Sequence, residues 1–344
     1  LFGAGLIGGR LRQGSMNTTA FSFGPLGAKG FAFLNMLQLI GWTSIMIYDA
    51  MLALQELAPL SPIIWTIAIG ALVILWLFIG LHNTGYIQAI VSILLLGLTL
   101  YMGAHMISQW PSEGILLTSG NMSFIAALEL SIAMPLSWLP LISDYTRESK
   151  KPFSASLTSA TVYTVTSIVM YTLGLSAAIF GGGDSIITIM MNAGLGLAGL
   201  IVIIFSTVTT TFMDAYSAGV SSTTIYNAAS SKGIAVIVTI VGTIAAILYP
   251  MDDITDFLYL IGSVFAPMIA ILLADYFINR QQVQTLSAYL VRGLIWAVSV
   301  GLYHYMLHSE STIGATLPSF AMAFIVTAIV GFVSKTANSS VEIK

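Results

Sequence analysis

Cysteine is missing from this chain altogether, and charge nearly so: Asp, Glu, Lys and Arg together make up 7% of its 344 residues. Without cysteine there is no disulfide framework, no thiol nucleophile and no thiolate metal site. A soluble domain carries about 25% charged residues, so too few remain here to solvate the surface of a globule. The four histidines show no metal-ligand pairing, and no stretch has the basic density of a nucleic-acid patch. The net charge of −3 says little about partners, because in a membrane protein the placement of charges matters more than their sum.

What the chain has in quantity is apolar surface: 57% of residues are hydrophobic and the mean hydropathy is +0.94. About 20 apolar residues cross the roughly 30 Å bilayer core as a helix. In lipid, backbone groups must be paired internally, which leaves helices or closed barrels. The apolar runs are continuous rather than alternating, so they predict an all-α polytopic membrane protein. Spans are expected near 30–54, 61–81, 84–106, 122–142, 155–180, 197–222, 233–250, 254–278, 287–306 and 314–334. The stretch 185–196 either extends a helix or lies at the interface. Loops this short leave no room for a soluble catalytic domain.

The opening LFGAGLIGG is apolar but too short to span, lacks the marks of a signal peptide, and reads as the tail of a helix. Under the ten-span topology all eleven Lys and Arg fall on one side: Arg10, Arg12, Lys29, Arg147, Lys150, Lys151, Lys232, Arg280, Arg292, Lys335 and Lys344. The opposite loops carry Glu56, Glu113, Asp184, Asp252, Asp253 and Glu310. The positive-inside rule then predicts a cytoplasmic C-terminus.

Four constellations carry potential chemistry. The first is STVTTTFMDAYSAGVSS, 206–222, where Ser206, Thr210, Asp214, Ser217 and Ser221 are spaced 4, 4, 3 and 4. That spacing draws one polar stripe along a helix. Close helix packing explains Ser and Thr as well as function does. It does not explain Asp214, because an acid mid-membrane costs about 2.5–3.5 kcal/mol on insertion scales and so faces a bundle interior or a wet cavity.

The second is LSIAMPLSWLPLISDYTRESKKP, 130–152, where Pro135 and Pro140 each remove a backbone donor. Helices discontinuous at membrane depth mark sites in secondary transporters, and an ordinary proline kink is the plainer reading. The third is NMLQLIGWTSIMIYDA, with Gln38 and Trp42 one turn apart and Gly41 beside them, a pairing that suits a planar polar heterocycle. The plainer reading is an aromatic and an amide facing a neighbouring helix. Asp49 follows near the outer mouth. Glu129, in FIAALELSIA, stands as a proton site, a gate residue or a hydrogen-bonded structural acid.

The fourth is MDDITD, whose Asp252, Asp253 and Asp256 have the spacing that holds magnesium on a diphosphate in prenyl-transferring enzymes. No second acidic motif accompanies it and it falls on the outer side, so a solvated acidic loop is the better reading. GGGD at 181–184 lacks the strand and Lys of a phosphate cradle and reads as a loop.

GW at 41–42, SDYTRESKKP at 143–152 and TTTFMDAYSAG at 209–219 make the chain resemble the nucleobase–cation symporters, the permeases for cytosine, purines, hydantoin and allantoin. The resemblance runs over essentially the whole chain and is nearest to the bacterial branch proposed to carry hydroxymethylpyrimidine, the thiamine precursor. It implies an inverted five-helix-repeat (LeuT-like) secondary transporter, not an enzyme, with first and sixth helices broken. The span at 122–142 matches the sixth, so Leu1 falls near the end of the second helix and an N-terminally truncated chain is expected.

On that reading one transmembrane transporter domain covers 1–344. Residues 1–9 end the second helix, 30–106 complete the first repeat, 122–278 form the second and 287–334 are two extra helices. The resemblance further implies Trp42 as a stacking residue and Ser206, Thr209 and Thr210 as cation ligands. Two departures stand out. The second stacking aromatic falls at Pro135, with Trp138 one turn later, and Asp214 stands within a residue of a frequent Asn. The expected substrate site is thus Gln38, Trp42, Pro135, Trp138 and Asp214, with no cofactor and either Na+ or H+ as coupling ion. The expected partners are a nucleobase-like small molecule and the lipid bilayer of the inner (plasma) membrane, with no nucleic acid. A cytosine or purine permease is the alternative within transport. An intramembrane prenyl- or diphosphate-processing enzyme using Asp252, Asp253 and Asp256 is the alternative outside it, and a channel is third.

Overall fold

A computed structural model of the chain describes residues 1–79, 81–108, 123–180, 196–309 and 312–341, and among these every regular element is a helix. The expectations placed on Glu113, GGGD, Asp184, most of 185–196, Glu310 and Lys344 lie outside the described residues. The helices are α1 (Phe2–Leu11), α2 (Ser15–Thr18), α3 (Ala20–Leu57), α4 (Pro62–Ile79), α5 (Leu81–Ser108), α6 (Phe124–Ser137) and α7 (Ile142–Thr146). They continue as α8 (Pro152–Phe180), α9 (Gly196–Ile225), α10 (Ser231–Leu248), α11 (Thr255–Leu273, running into a π-helical turn Ala274–Asn279), α12 (Leu286–His308) and α13 (Thr316–Val341). Among the described residues nine candidate spans are long and apolar enough to cross a membrane. The remaining expected segment is α5, whose apolar portion is the shorter Ala89–Ala104.

Capping side chains set several helix starts. Ser123 Oγ accepts from Ala126 N at 3.1 Å, Ser230 Oγ from Gly233 N at 3.1 Å, and Thr285 Oγ1 from Ala288 N at 3.3 Å, each filling a donor that the first turn leaves open. α3 begins earlier than its apolar run predicts because it absorbs a kink. Gly24 sits at φ 68°, just before Pro25, and a β-carbon there would lie 2.7 Å from Tyr289 Cε2. The backbone turn and the aromatic neighbour both demand glycine. Val283 N donates to Phe21 O at 3.0 Å alongside, tying this end of α3 to the entry of α12.

Two blocks make up the interior. In one, α3 and α4 pack against α9 and α10 through clusters such as Val73, Trp76, Phe212 and Ala235. In the other, α11, the most enclosed of the spans, packs against α6, α12 and α13. The short α1 crosses α7 and α8 closely, which accounts for the glycines of the opening stretch: a β-carbon on Gly8 would fall 2.1 Å from Ser143 Cβ, and one on Gly9 2.7 Å from Pro152 Cβ.

The basic residues gather at one end of the bundle through direct contacts. Arg12 Nη1 donates to Arg147 O at 3.2 Å, Lys232 Nζ to Phe78 O at 3.4 Å, and Lys335 Nζ to Asn279 O. At the other end Tyr48 donates to Asp252 Oδ2 at 3.2 Å. Arg292 differs from the rest. It is buried inside a span and paired with Asp275, so it is an internal ion pair rather than a loop charge.

The span expected to be broken by Pro135 and Pro140 is broken; Pro135 itself lies within α6, which continues to Ser137. The break is at 138–141, where Trp138 N donates to Pro135 O, Leu139 N to Leu136 O and Leu141 N to Trp138 O in tight turns. Pro140 helps keep α6 from continuing, because the residue before a proline is steered away from helical backbone.

Candidate functional site

α3 presents Asn35, Gln38 and Trp42 on one face, at spacings of 3 and 4. Asn35 is fully buried; its Nδ2 donates to Ser221 Oγ at 2.8 Å and to Pro140 O at 3.3 Å. Gln38 Nε2 donates to Asn35 Oδ1 at 2.8 Å and to Ser137 O at 3.2 Å. Asn35 and Gln38 therefore join three elements: α3, α9 and the end of α6. The carbonyls they hold lie at the start of the break and inside it, where the helix ladder leaves backbone oxygens without intrahelical donors.

Two polar atoms on this face have no partner among the described residues. Gln38 Oε1 and Trp42 Nε1 are both buried, and neither makes a hydrogen bond. They stand one turn apart, one an acceptor and the other a donor. An orphaned buried polar atom costs about 1–3 kcal/mol, so two at one place point to a planar ligand carrying the complementary pair. The indole ring meets Phe257 of α11 edge-on, with centroids 5.5 Å apart. Phe257 also covers Gly41, where a β-carbon would come within 2.6 Å of its ring.

Across from α3 runs α9, antiparallel to it. Asn35 bonds Ser221 near one end, and Leu54 shares a cluster with Leu200 near the other. This register puts Asp214 at the height of Trp42. Asp214 is 6% exposed and accepts no hydrogen bond from another described residue. Its stripe neighbours are used: Ser217 Oγ lies 3.3 Å from Tyr145 Oη, and Ser221 receives Asn35. Tyr145 also donates to Met213 O at 3.1 Å, fixing α7 against α9 beside the acid.

Trp138, at the break, packs with Leu39, Leu141 and Ala218, and its ring lies 6.1 Å from that of Tyr163. It lines, with Tyr145, Tyr163 and Met213, a cavity of 740 Å³. Pro135 is half-buried one turn earlier in α6. Gln38 and Ser137 join directly, so the structure brings the α3 pair to the break that carries Trp138.

Farther along α9, Thr209 Oγ1 donates to Phe205 O at 2.8 Å and to Ser206 O at 3.0 Å, while Ser206 Oγ donates to Ile203 O at 3.3 Å. Donating to their own helix leaves the lone pairs of both hydroxyls available to a hard cation. Thr210 is half-buried on the adjoining face, and its hydroxyl makes no hydrogen bond among the described residues.

The acidic triplet has other duties. Asp252 takes the Tyr48 hydroxyl, and Asp253 Oδ1 accepts Thr255 N at 2.9 Å at the start of α11. That backbone bond holds the exposed Asp253 carboxyl below its ordinary pKa. Among the described residues no group of three His, Cys, Asp or Glu could hold a metal ion.

A family profile described as permease for cytosine/purines, uracil, thiamine, allantoin matches residues 4–342. The chain belongs to that family. Its members are permeases, so the acidic triplet is not the centre of an enzyme. Among curated proteins none matches the sequence significantly. Of solved structures, Mhp1, a nucleobase-cation-symport-1 family transporter, in a closed conformation with bromovinylhydantoin bound, has a TM-score of 0.75 at 16% identity. That match covers 97% of this chain and 82% of the other. Inward-facing Mhp1 gives 0.73 at 18% identity, covering 97% and 81%. A Na+-coupled sialic acid symporter in its substrate-bound outward-open state gives 0.67 at 16%, covering 93% and 76%. This permease therefore has the inverted-repeat, LeuT-like fold of secondary transporters.

Asn35 and Phe257 were not singled out from the sequence, and Tyr145 entered only as part of the SDYTRESKKP motif. For Asn35 the signal was present, since it continues the Gln38–Trp42 face by one turn. Tyr145 and Phe257 join the site only through tertiary contact.

Proposed function

We propose that the chain is a cation-coupled symporter that imports a pyrimidine-type heterocycle by alternating access, with hydroxymethylpyrimidine as the first substrate to test. The observation that carries this reading is the unpartnered pair on α3, Gln38 Oε1 and Trp42 Nε1, at the height of the buried Asp214. An aminopyrimidine has an amine donor, ring-nitrogen acceptors and a flat face, and so answers an amide oxygen, an indole N–H and an aromatic ring together. A carboxylate adds a charge-assisted acceptor for the amine. An Asn at that place suits neutral oxo-pyrimidines better.

The coupling cation is assigned to Ser206, Thr209 and Thr210 on α9, and the C-terminus and the 144–153 loop to the cytoplasm of the inner membrane. In support, the chain's relatives in fold include a Na+-coupled symporter, and basic contacts gather at one end of the bundle. Cytosine or purine transport is the second reading, favoured by the printed scope of the family.

The test is uptake of labelled hydroxymethylpyrimidine by the full chain with and without sodium, in competition with cytosine, adenine and hydantoin. Hydroxymethylpyrimidine is expected to compete best, and Asp214→Asn to reduce its uptake more than tenfold, on the order of 1.5–3 kcal/mol for a charged hydrogen bond. Stronger competition by cytosine, or native affinity in Asp214→Asn, would overturn the assignment.

A further inference from the structure

Glu129 takes no part in the pocket described above, yet both of its oxygens are filled. It is 5% exposed. Oε1 accepts Ala315 N at 3.0 Å and Thr316 N at 3.2 Å; Oε2 accepts Thr316 N at 3.0 Å and Thr316 Oγ1 at 2.5 Å. These donors lie at the N-terminus of α13, on Thr316 and on Ala315 just before it, where the helix has no intrahelical acceptors for them. The helix N-terminus also carries partial positive charge that favours a carboxylate. Gly314, next in the chain, sits at φ 75°, and a β-carbon there would lie 2.0 Å from Glu129 Oε1. The carboxylate is thus seated against bare backbone.

The other polar ties of this helix are at its opposite end. Gln38 holds Ser137 O, and Asn35 holds Pro140 O within the break. Between Glu129 and Ser137 lie roughly two turns, about 12 Å of helix, interrupted by Pro135. One flank of α6 packs on α11, while Phe124, Leu128 and Ser131 on another are exposed. With one pin removed, α6 is free to pivot on the other. At a lever of about 12 Å, a slip of about 1 Å at Glu129 tilts the helix by roughly 5°.

We infer that Glu129 is a positioning residue for transport: by gripping the N-terminus of α13 it fixes the tilt of α6, and so holds the break and Trp138 in register with Gln38 and Trp42. The functional half rests on the transport reading above, and the geometric half is tested without substrate. Because the chain has no cysteine, Ser137→Cys is a silent-background reporter at the break, where Ser137 is 4% exposed.

In the full chain, a membrane-impermeant maleimide should modify Ser137→Cys slowly, and roughly fivefold faster once Glu129→Ala is added. Uptake KM should rise roughly tenfold at equal membrane amount. Glu129→Gln, which keeps an acceptor for the Thr316 N–H, should hold both within roughly threefold. Should Glu129→Ala not reach the membrane, Thr316→Val, which keeps both backbone donors and the side-chain volume, decides by the same two readouts. Native reactivity and native KM in that variant and in Glu129→Ala, whatever their abundance, overturn the inference. Raised reactivity in a chain that takes up no pyrimidine sustains the positioning role and faults the substrate instead.

Discussion

Arg292 grips Asp275 with two prongs: Nη2 reaches Oδ1 at 3.0 Å and Nε reaches Oδ2 at 3.3 Å, with side chains 6% and 0% exposed. Asp275 Oδ1 also accepts Asn279 Nδ2 at 2.9 Å, and Asn279 in turn reaches Thr327 O at 3.1 Å. One buried network therefore joins the π-helical turn after α11 to α12 and α13. Removing one partner of such a pair strands the other charge away from water. Arg292→Ala should cost about 3–5 kcal/mol, read as a lower melting temperature of the purified permease. The paired exchange Arg292→Met with Asp275→Leu should recover much of that loss.

Trp42 offers a cleaner separation of function from stability. Its Nε1 bonds nothing among the described residues, so Trp42→Phe removes a donor without orphaning a described partner. The melting temperature should hold, while substrate affinity falls by about 1–3 kcal/mol, the cost of leaving a ligand acceptor unpaired. Equal affinity in the Phe variant would show that the indole N–H does not face the substrate.

Thr210→Ala and Thr209→Ala should each raise the cation concentration giving half-maximal uptake. Thr209 Oγ1 has its own-helix bonds to Phe205 O and Ser206 O in any case, so Thr209→Ser should behave as native. An unchanged cation dependence in both alanine variants would remove α9 from the cation site.

Orientation can be read with cysteines at Lys151 and at Asp252, both exposed. In intact cells an impermeant reagent should label position 252 and spare 151. Labelling of both, or of 151 alone, would invert or discard the cytoplasmic assignment.

How far the sequence carried depends on the distance over which each feature is decided. Span limits are local: Ser230 before SKG starts α10 by capping it, and the apolar run of α4 ends one residue after Phe78. The polar face of α3 is also local, since spacing alone aligns Gln38 with Trp42. The broken span was legible, but not the turn at which it breaks, because Pro135 and Pro140 carry the same local signal; the break at 138–141 is held by tertiary ties to Ser137 O and Pro140 O. Phe257 over Trp42, and Arg292 against Asp275, pair residues whose separation follows no helical period. Nothing along the chain announces them.

The grip of Glu129 on Thr316 spans 187 residues, and that interval is also a time. At about 5–20 residues per second of synthesis, the donors for this carboxylate emerge on the order of 10–40 s after it. The carbonyl of Phe21 waits longer still for Val283. For that period the membrane holds a partly built bundle with an acid that has nothing to accept from. Chains halted before Thr316 should accordingly be degraded faster in pulse-chase than chains halted after α13, and equal half-lives would refute this. The emergence of α13 from the ribosome thus decides when the Glu129 region stops being a substrate for quality control.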